Sequence, residues 1–170
     1  MTGLCFVDAN VLVYFASPTE PLKQQVARTL IGQLWREQRA RTSVQALNEF
    51  YSVVTRKVSH AVSAEKAWAR VEELMQWDPQ PVDAGLLRCA RAVEQRYKLS
   101  WWDSLIVAAA RLQQCTVLYT EDLQHGAMLD GVKVVNPFIA QVQEEPAPYR
   151  ATVISPHRPR GRPRKQALSA

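Results

Sequence analysis

Short apolar or β-branched runs alternate along this chain with segments whose apolar residues recur every three to four positions. The run "LCFV" (4–7) stops at Asp8 and passes into "ANVLVYFA", which reads as a buried strand turning into a helix. Val26, Leu30 and Leu34 then return at helical spacing and predict a helix through about Gln38. "RTSV" (41–44) is a candidate short strand, and "QALNEFYSVVTRKV" (45–58) is helical through Leu47, Phe50, Tyr51 and Val54. Ser63 can cap a helix over about 64–77. Pro79 and Pro81 break the chain around a possible strand at Val82, and Asp83 precedes a further helix. A helix over about 102–114 is followed by "TVLYT" (116–120) and, after a loop, "VKVV" (132–135). Strands that alternate with helices specify an α/β fold, with a mostly parallel sheet and helices on its faces.

Composition narrows the class. Hydrophobic residues are 47% of the 170, enough for a real core. No apolar run reaches the roughly 18 residues that span a bilayer, and "MTGLCFVDAN" shows no secretion signal. Cys5, Cys89 and Cys115 form no CxxC pair, and the three histidines lack zinc-ligand spacing, so buried thiols in a reducing cytoplasm are expected. The formal charge of +5 belongs wholly to the end of the chain. Residues 150–170 hold six basic residues and no acid, and removing those six leaves 15 basic against 16 acidic residues. This pattern describes a near-neutral domain carrying a separate basic arm.

Four acids occupy the positions where open parallel sheets bind ligands, outside the carboxyl ends of the strands. Asp8 ends the first strand, Asp122 comes two residues after "TVLYT", Asp103 opens a helix, and Glu49 lies less than two turns into another. Taken singly, each has an ordinary use. Asp103 as a cap or first-turn acid would contribute about 0.5–2 kcal/mol with no partner at all. Asn10 could orient Asp8 or cap the following helix. Taken together they mean more: four carboxylates about 6 Å apart would repel by on the order of 15 kcal/mol at an effective dielectric of about 20. Oxygen-only ligands suit hard cations, so Mg²⁺ or Mn²⁺ is the expected cofactor. Aspartyl phosphotransfer is disfavoured, because "DAN" lacks the second aspartate of a DxD motif.

"FVDANVLVY", "SVQALNEFYSVV", "LSWWDSLIVAAA" and "VLYTEDLQHG" resemble, in order, the four acidic blocks of PIN-domain nucleases, and most closely those of VapC-type toxins. The likeness covers roughly residues 4–140. It implies an α/β/α sandwich and metal-dependent hydrolysis of RNA by an activated water. It also implies that Asp8 and Asp103 are the main Mg²⁺ ligands, with Glu49 and Asp122 completing the cluster, in part through water. By the same resemblance Asn10, Ser43 and Thr120 support the site, and the Thr-x-Asp spacing selects Asp122 over Glu121. An antitoxin protein and a homodimer are the partners it implies, with surfaces that Trp35, Trp68 and Trp77 could supply or instead bury as core.

The nuclease-like domain is expected over 1–143 and a disordered, Pro/Arg-rich tail over 144–170. Within the tail, "RPRGRPRK" (158–165) is similar to the core of the AT-hook, a binder of the minor groove of A·T-rich DNA. Gly161 permits close approach, the prolines keep the strand extended, and Arg160 and Arg162 suit a narrow, negative groove. Arg158, Arg164 and Lys165 extend the charge and could equally attract RNA. The contrasting reading is therefore a protein that docks on A·T-rich DNA through its tail and recruits a partner through its domain.

Overall fold

The structure is a computed structural model, and it describes residues 3–56 and 62–139. The tail over 144–170, with Arg158, Arg160, Gly161, Arg162, Arg164 and Lys165, lies outside the described residues. Strand β1 (Leu4–Val7) leads through α1 (Ala9–Ala16) and α2 (Pro21–Arg36) to β2 (Ala40–Arg41). Four more helices follow: α3 (Val44–Arg56), α4 (Ala64–Leu74), α5 (Ala84–Tyr97) and α6 (Trp101–Leu112). The chain then completes the sheet with β3 (Cys115–Tyr119), β4 (Met128–Leu129) and β5 (Val132–Val135). The strand order is β2-β1-β3-β5-β4. All pairings are parallel except that of β4 with β5.

The pleat of β1 divides the interior in two. Cys5 and Val7 enter a core with α1, α2, α3 and α4, while Phe6 faces the other way into a core with α5 and α6. A three-layer α/β/α arrangement results, as expected. Ala108, Ala109 and Ala110 of α6 are all fully buried, and their small side chains let this helix lie close against the sheet. β1 is followed in sequence by β2 on one side and adjoined by β3 on the other. The connections therefore diverge at β1, and this point, at the carboxyl ends of β1 and β3, is where such sheets open a crevice.

Several local expectations are corrected. The second strand is shorter than "RTSV" and begins earlier: Thr42 Oγ1 donates to the Val7 carbonyl at 3.0 Å, Ser43 makes an isolated bridge with Gln80, and Val44 already starts α3. Val82 is an exposed loop residue, not a strand. The hairpin of β4 and β5 was not expected. It turns on Asp130 and Gly131, both at positive φ (49° and 85°), as a tight two-residue hairpin requires. Cys5 and Cys115 are buried as expected, whereas Cys89 is half-buried. Trp77 is core, Trp35 packs against it at a tilt with ring centroids 5.3 Å apart while staying partly exposed, and Trp68 is half-exposed. Among the described residues no helix is long and apolar enough to cross a membrane.

Candidate active site

Asp8 is placed by the end of β1. Its backbone N–H still donates to the Tyr119 carbonyl at 3.1 Å, continuing the β1–β3 ladder, and the next residue begins α1. Its carboxylate accepts from the Ala9 N–H at 2.7 Å, close to the positive end of α1. It is 7% exposed. Burial pushes its pKa up from 3.8 to about 7; bonds from Thr120 and Ala9 oppose the rise, and the charges of Asp122 and Glu49 add to it.

Thr120 follows β3 and is fully buried. Its hydroxyl donates to Asp8 Oδ2 at 2.8 Å and accepts from the Asn10 amide at 3.0 Å and from the Asp122 N–H at 3.2 Å. One donor and two acceptor sites are all a hydroxyl has, and each is used. Asn10, one residue into α1, also donates to Asp122 Oδ2 at 3.0 Å and, at 3.5 Å, to Asp8 Oδ2. Asp8 and Asp122, 114 positions apart in sequence, are thus tied through one amide and one hydroxyl.

The other two acids arrive on helices. Asp103 is the third residue of α6 and not its cap; Ser100 is the cap, accepting from the Asp103 N–H at 3.1 Å and donating to Asp103 Oδ2 at 2.7 Å. The two bonds differ from a capping box, in which the carboxylate would accept from the cap's backbone N–H, but they fix the carboxyl at the helix's positive end. Glu49 stands on α3, whose first turn is secured by Ser43: the buried Ser43 hydroxyl accepts from the Ala46 N–H at 3.1 Å. Ser43 therefore supports the helix that carries Glu49 and is not itself in the groove wall. Asp8, Glu49, Asp103 and Asp122 all line one open groove of about 790 Å³.

Glu121 goes elsewhere. It accepts from Tyr14 at 2.7 Å and from Lys23 at 2.8 Å, and Lys23 also donates to the Tyr14 oxygen at 2.9 Å. Although burial works against its charge, the bonds to Glu121 and Tyr14 hold the Lys23 ammonium above its ordinary range. This half-buried network links α1, α2 and the loop after β3, and it leaves the neighbouring Asp122 to the groove.

The sequence from residue 5 to residue 128 matches the PIN domain family. The chain belongs to that family. Solved structures with the same fold include a toxin–antitoxin complex from Klebsiella pneumoniae, at 19% identity over 78% of this chain and 97% of that one, with a TM-score of 0.59. VapC20 of Mycobacterium tuberculosis, a Sarcin-Ricin loop cleaving toxin, is 18% identical over 69% and 89% of the two chains, with a TM-score of 0.53. FitAB bound to an IR36 DNA fragment is 18% identical over 79% and 96%, with a TM-score of 0.63. At these identities the likeness is one of fold. No curated protein matches the chain.

The PIN groove differs from the sequence expectation in tightness. Among the described residues no three acids, histidines or cysteines stand close enough together to form a closed metal cluster. The donor set still suits a hard divalent cation. Mg²⁺ dehydrates reluctantly, keeps several waters and is typically bound through one or two carboxylates, so it needs no all-protein cage. Asp8 offers a buried carboxylate, and Asn10 Oδ1 is a buried oxygen with no hydrogen-bond partner among the described residues. The groove walls also hold residues that sequence reasoning did not select: Gln45, Asn48 and Ser52 of α3, and Trp102 of α6. The three from α3 share the helical face of Glu49, a spacing that could have flagged them.

Proposed function

We propose that the chain is a Mg²⁺-dependent endoribonuclease, the toxin of a toxin–antitoxin pair, hydrolysing RNA phosphodiesters with an activated water. The observation that carries this reading is the delivery of four carboxylates, from four separate segments, to one groove at the carboxyl edge of the sheet. Membership of the PIN family supports a hydrolytic nuclease. The Klebsiella complex and the Mycobacterium VapC20 toxin, which share the fold, support an antitoxin partner and an RNA substrate.

In this reading Asp8 and Asp103 are the main ligands of Mg²⁺ or Mn²⁺, and Glu49 and Asp122 complete the site in part through bound water. When bound, the ion supplies Lewis acidity toward a phosphodiester and lowers the pKa of an attacking water. The protein's share of the chemistry is positioning. Thr120 and Ala9 fix the orientation of Asp8, Asn10 sets Asp122 beside it, and the Ser100 hydroxyl holds Asp103 at the start of α6. Val53, Leu105 and Ile106 give the open groove an apolar part of its wall. The tail at 158–165 serves, on its sequence, as a contact to A·T-rich DNA or to RNA. A homodimer remains part of the proposal by family resemblance.

The test is cleavage of structured RNA by the full chain in Mg²⁺, in EDTA, and by Asp8→Asn. Cleavage that requires Mg²⁺ and falls by about 100-fold or more in the variant is expected. Undiminished cleavage in EDTA overturns the reading.

A further inference from the structure

Trp102 is 67% exposed, the largest fraction among the exposed bulky apolar side chains of the described residues, yet it lies beside Asp103 in the first turn of α6 and lines the acidic groove. Fully exposing an indole forfeits on the order of 2 kcal/mol of burial, so a wet tryptophan at the mouth of a site stands out. Its backbone is held in place: Gln45 Nε2 of α3 donates to the Trp102 carbonyl at 3.4 Å. Opposite it, Gln45, Asn48 and Ser52 form a polar stripe on α3, at the i, i+3, i+7 spacing that keeps side chains on one helical face.

The charge of the groove sharpens the point. Among the described residues that line it there is neither lysine nor arginine. Non-specific affinity for nucleic acid comes mostly from cations that neutralise phosphates. A groove walled by carboxylates and apolar surface cannot draw a strand in that way. What it offers instead is a flat π-face and neighbouring amides. Aromatic side chains stack on unpaired bases of any sequence, and amide groups can hydrogen-bond the edges of a base that is out of its duplex.

We infer that the groove between α3 and the first turn of α6 is a subsite for one unpaired nucleobase flanking the scissile phosphate, with Trp102 as its stacking platform and Gln45, Asn48 and Ser52 facing its edge. This rests on the nuclease reading for the phosphate and adds the side chains of this chain that would receive the neighbouring base. Duplex bases are stacked on one another and present no free face to the indole.

The experiment compares binding of a labelled 12-nucleotide oligoadenylate and an abasic ribose-phosphate 12-mer by fluorescence anisotropy. It uses the full chain, with Ca²⁺ in place of Mg²⁺ so that the strand stays intact. The wild-type chain should prefer the base-bearing strand. Trp102→Ala should weaken oligoadenylate by about tenfold or more while leaving the abasic strand unchanged, and Trp102→Phe should retain most of the preference. No preference, or a preference that survives Trp102→Ala, overturns the inference; a groove built for a protein side chain gives that result. Cleavage in Mg²⁺ is scored separately. A base preference without cleavage defeats the nuclease reading alone, and cleavage without base preference defeats the subsite alone.

Discussion

The Thr120 hydroxyl donates to the Asp8 carboxylate at 2.8 Å from the end of the neighbouring strand, and both groups are buried. A hydrogen bond to a charged group in such a setting contributes about 1.5–3 kcal/mol. The same hydroxyl accepts from Asn10 and from the Asp122 backbone, so its loss disturbs three partners at once. Thr120→Val is expected to lower cleavage by about 10–100-fold and to raise the Mg²⁺ concentration needed for half-maximal rate. Thr120→Ser, which keeps the oxygen, should stay within a few-fold of wild type. Steady-state rates across a Mg²⁺ series check both.

The raised pKa of Asp8 makes the metal-free protein sensitive to pH. The carboxyl titrates near 7 when folded and near 3.8 when unfolded, so between these values the folded chain holds a proton that the unfolded chain has released. Stability must therefore fall as pH rises through this window. From pH 5.5 to 8 the loss from this group is about 2 kcal/mol. Urea midpoints in EDTA should drop accordingly. Asp8→Asn should flatten that slope, and Mg²⁺ at pH 8 should restore stability to the wild-type chain but not to the variant.

Glu121 and Asp122 are adjacent in sequence and opposite in role. Glu121 closes the network with Tyr14 and Lys23, while Asp122 meets Asn10 and lines the groove. Glu121→Gln is expected to retain cleavage within about threefold, since the amide can still accept from both partners. Asp122→Asn should lose about tenfold or more. Lys23→Met leaves a half-buried carboxylate without its cation, and should cost about 1–3 kcal/mol in urea denaturation while sparing the chemistry.

The sequence carried the strand–helix alternation because each element is a simple periodic pattern. β1, α1, α3, β3 and β5 fall within a residue or two of the expected bounds. The four acids were legible for the same reason: each stands just after a strand or near the start of a helix. Other features escaped for physical causes. Ser100 and Asp103 share the start of α6, and the Ser-x-x-Asp spacing, read as a helix-start signature, assigns the cap to Ser100. The Asp130–Gly131 turn was a readable hairpin signal, obscured because β4 is only two residues long. Gln45 and Asn48 were legible only through their helical spacing to Glu49, because taken singly a polar helix residue that faces a site looks like one that faces water. Trp102 gave no signal beyond its place beside Asp103. The looseness of the acids could not be read at all, since spacing in sequence fixes the edge of the sheet on which a side chain stands but not the distance across it.

The central claim is that the groove lined by Asp8, Glu49, Asp103 and Asp122 holds a divalent cation, chiefly through Asp8 and Asp103 and otherwise through bound water. Titrating the metal-free full-length chain with Mn²⁺, and following free Mn²⁺ by electron paramagnetic resonance, tests it most directly. The account predicts saturable binding, weakened about tenfold or more by Asp8→Asn and by Asp103→Asn and little changed by Glu121→Gln. Absence of saturable binding, or equal binding by the Asp8→Asn chain, would contradict it.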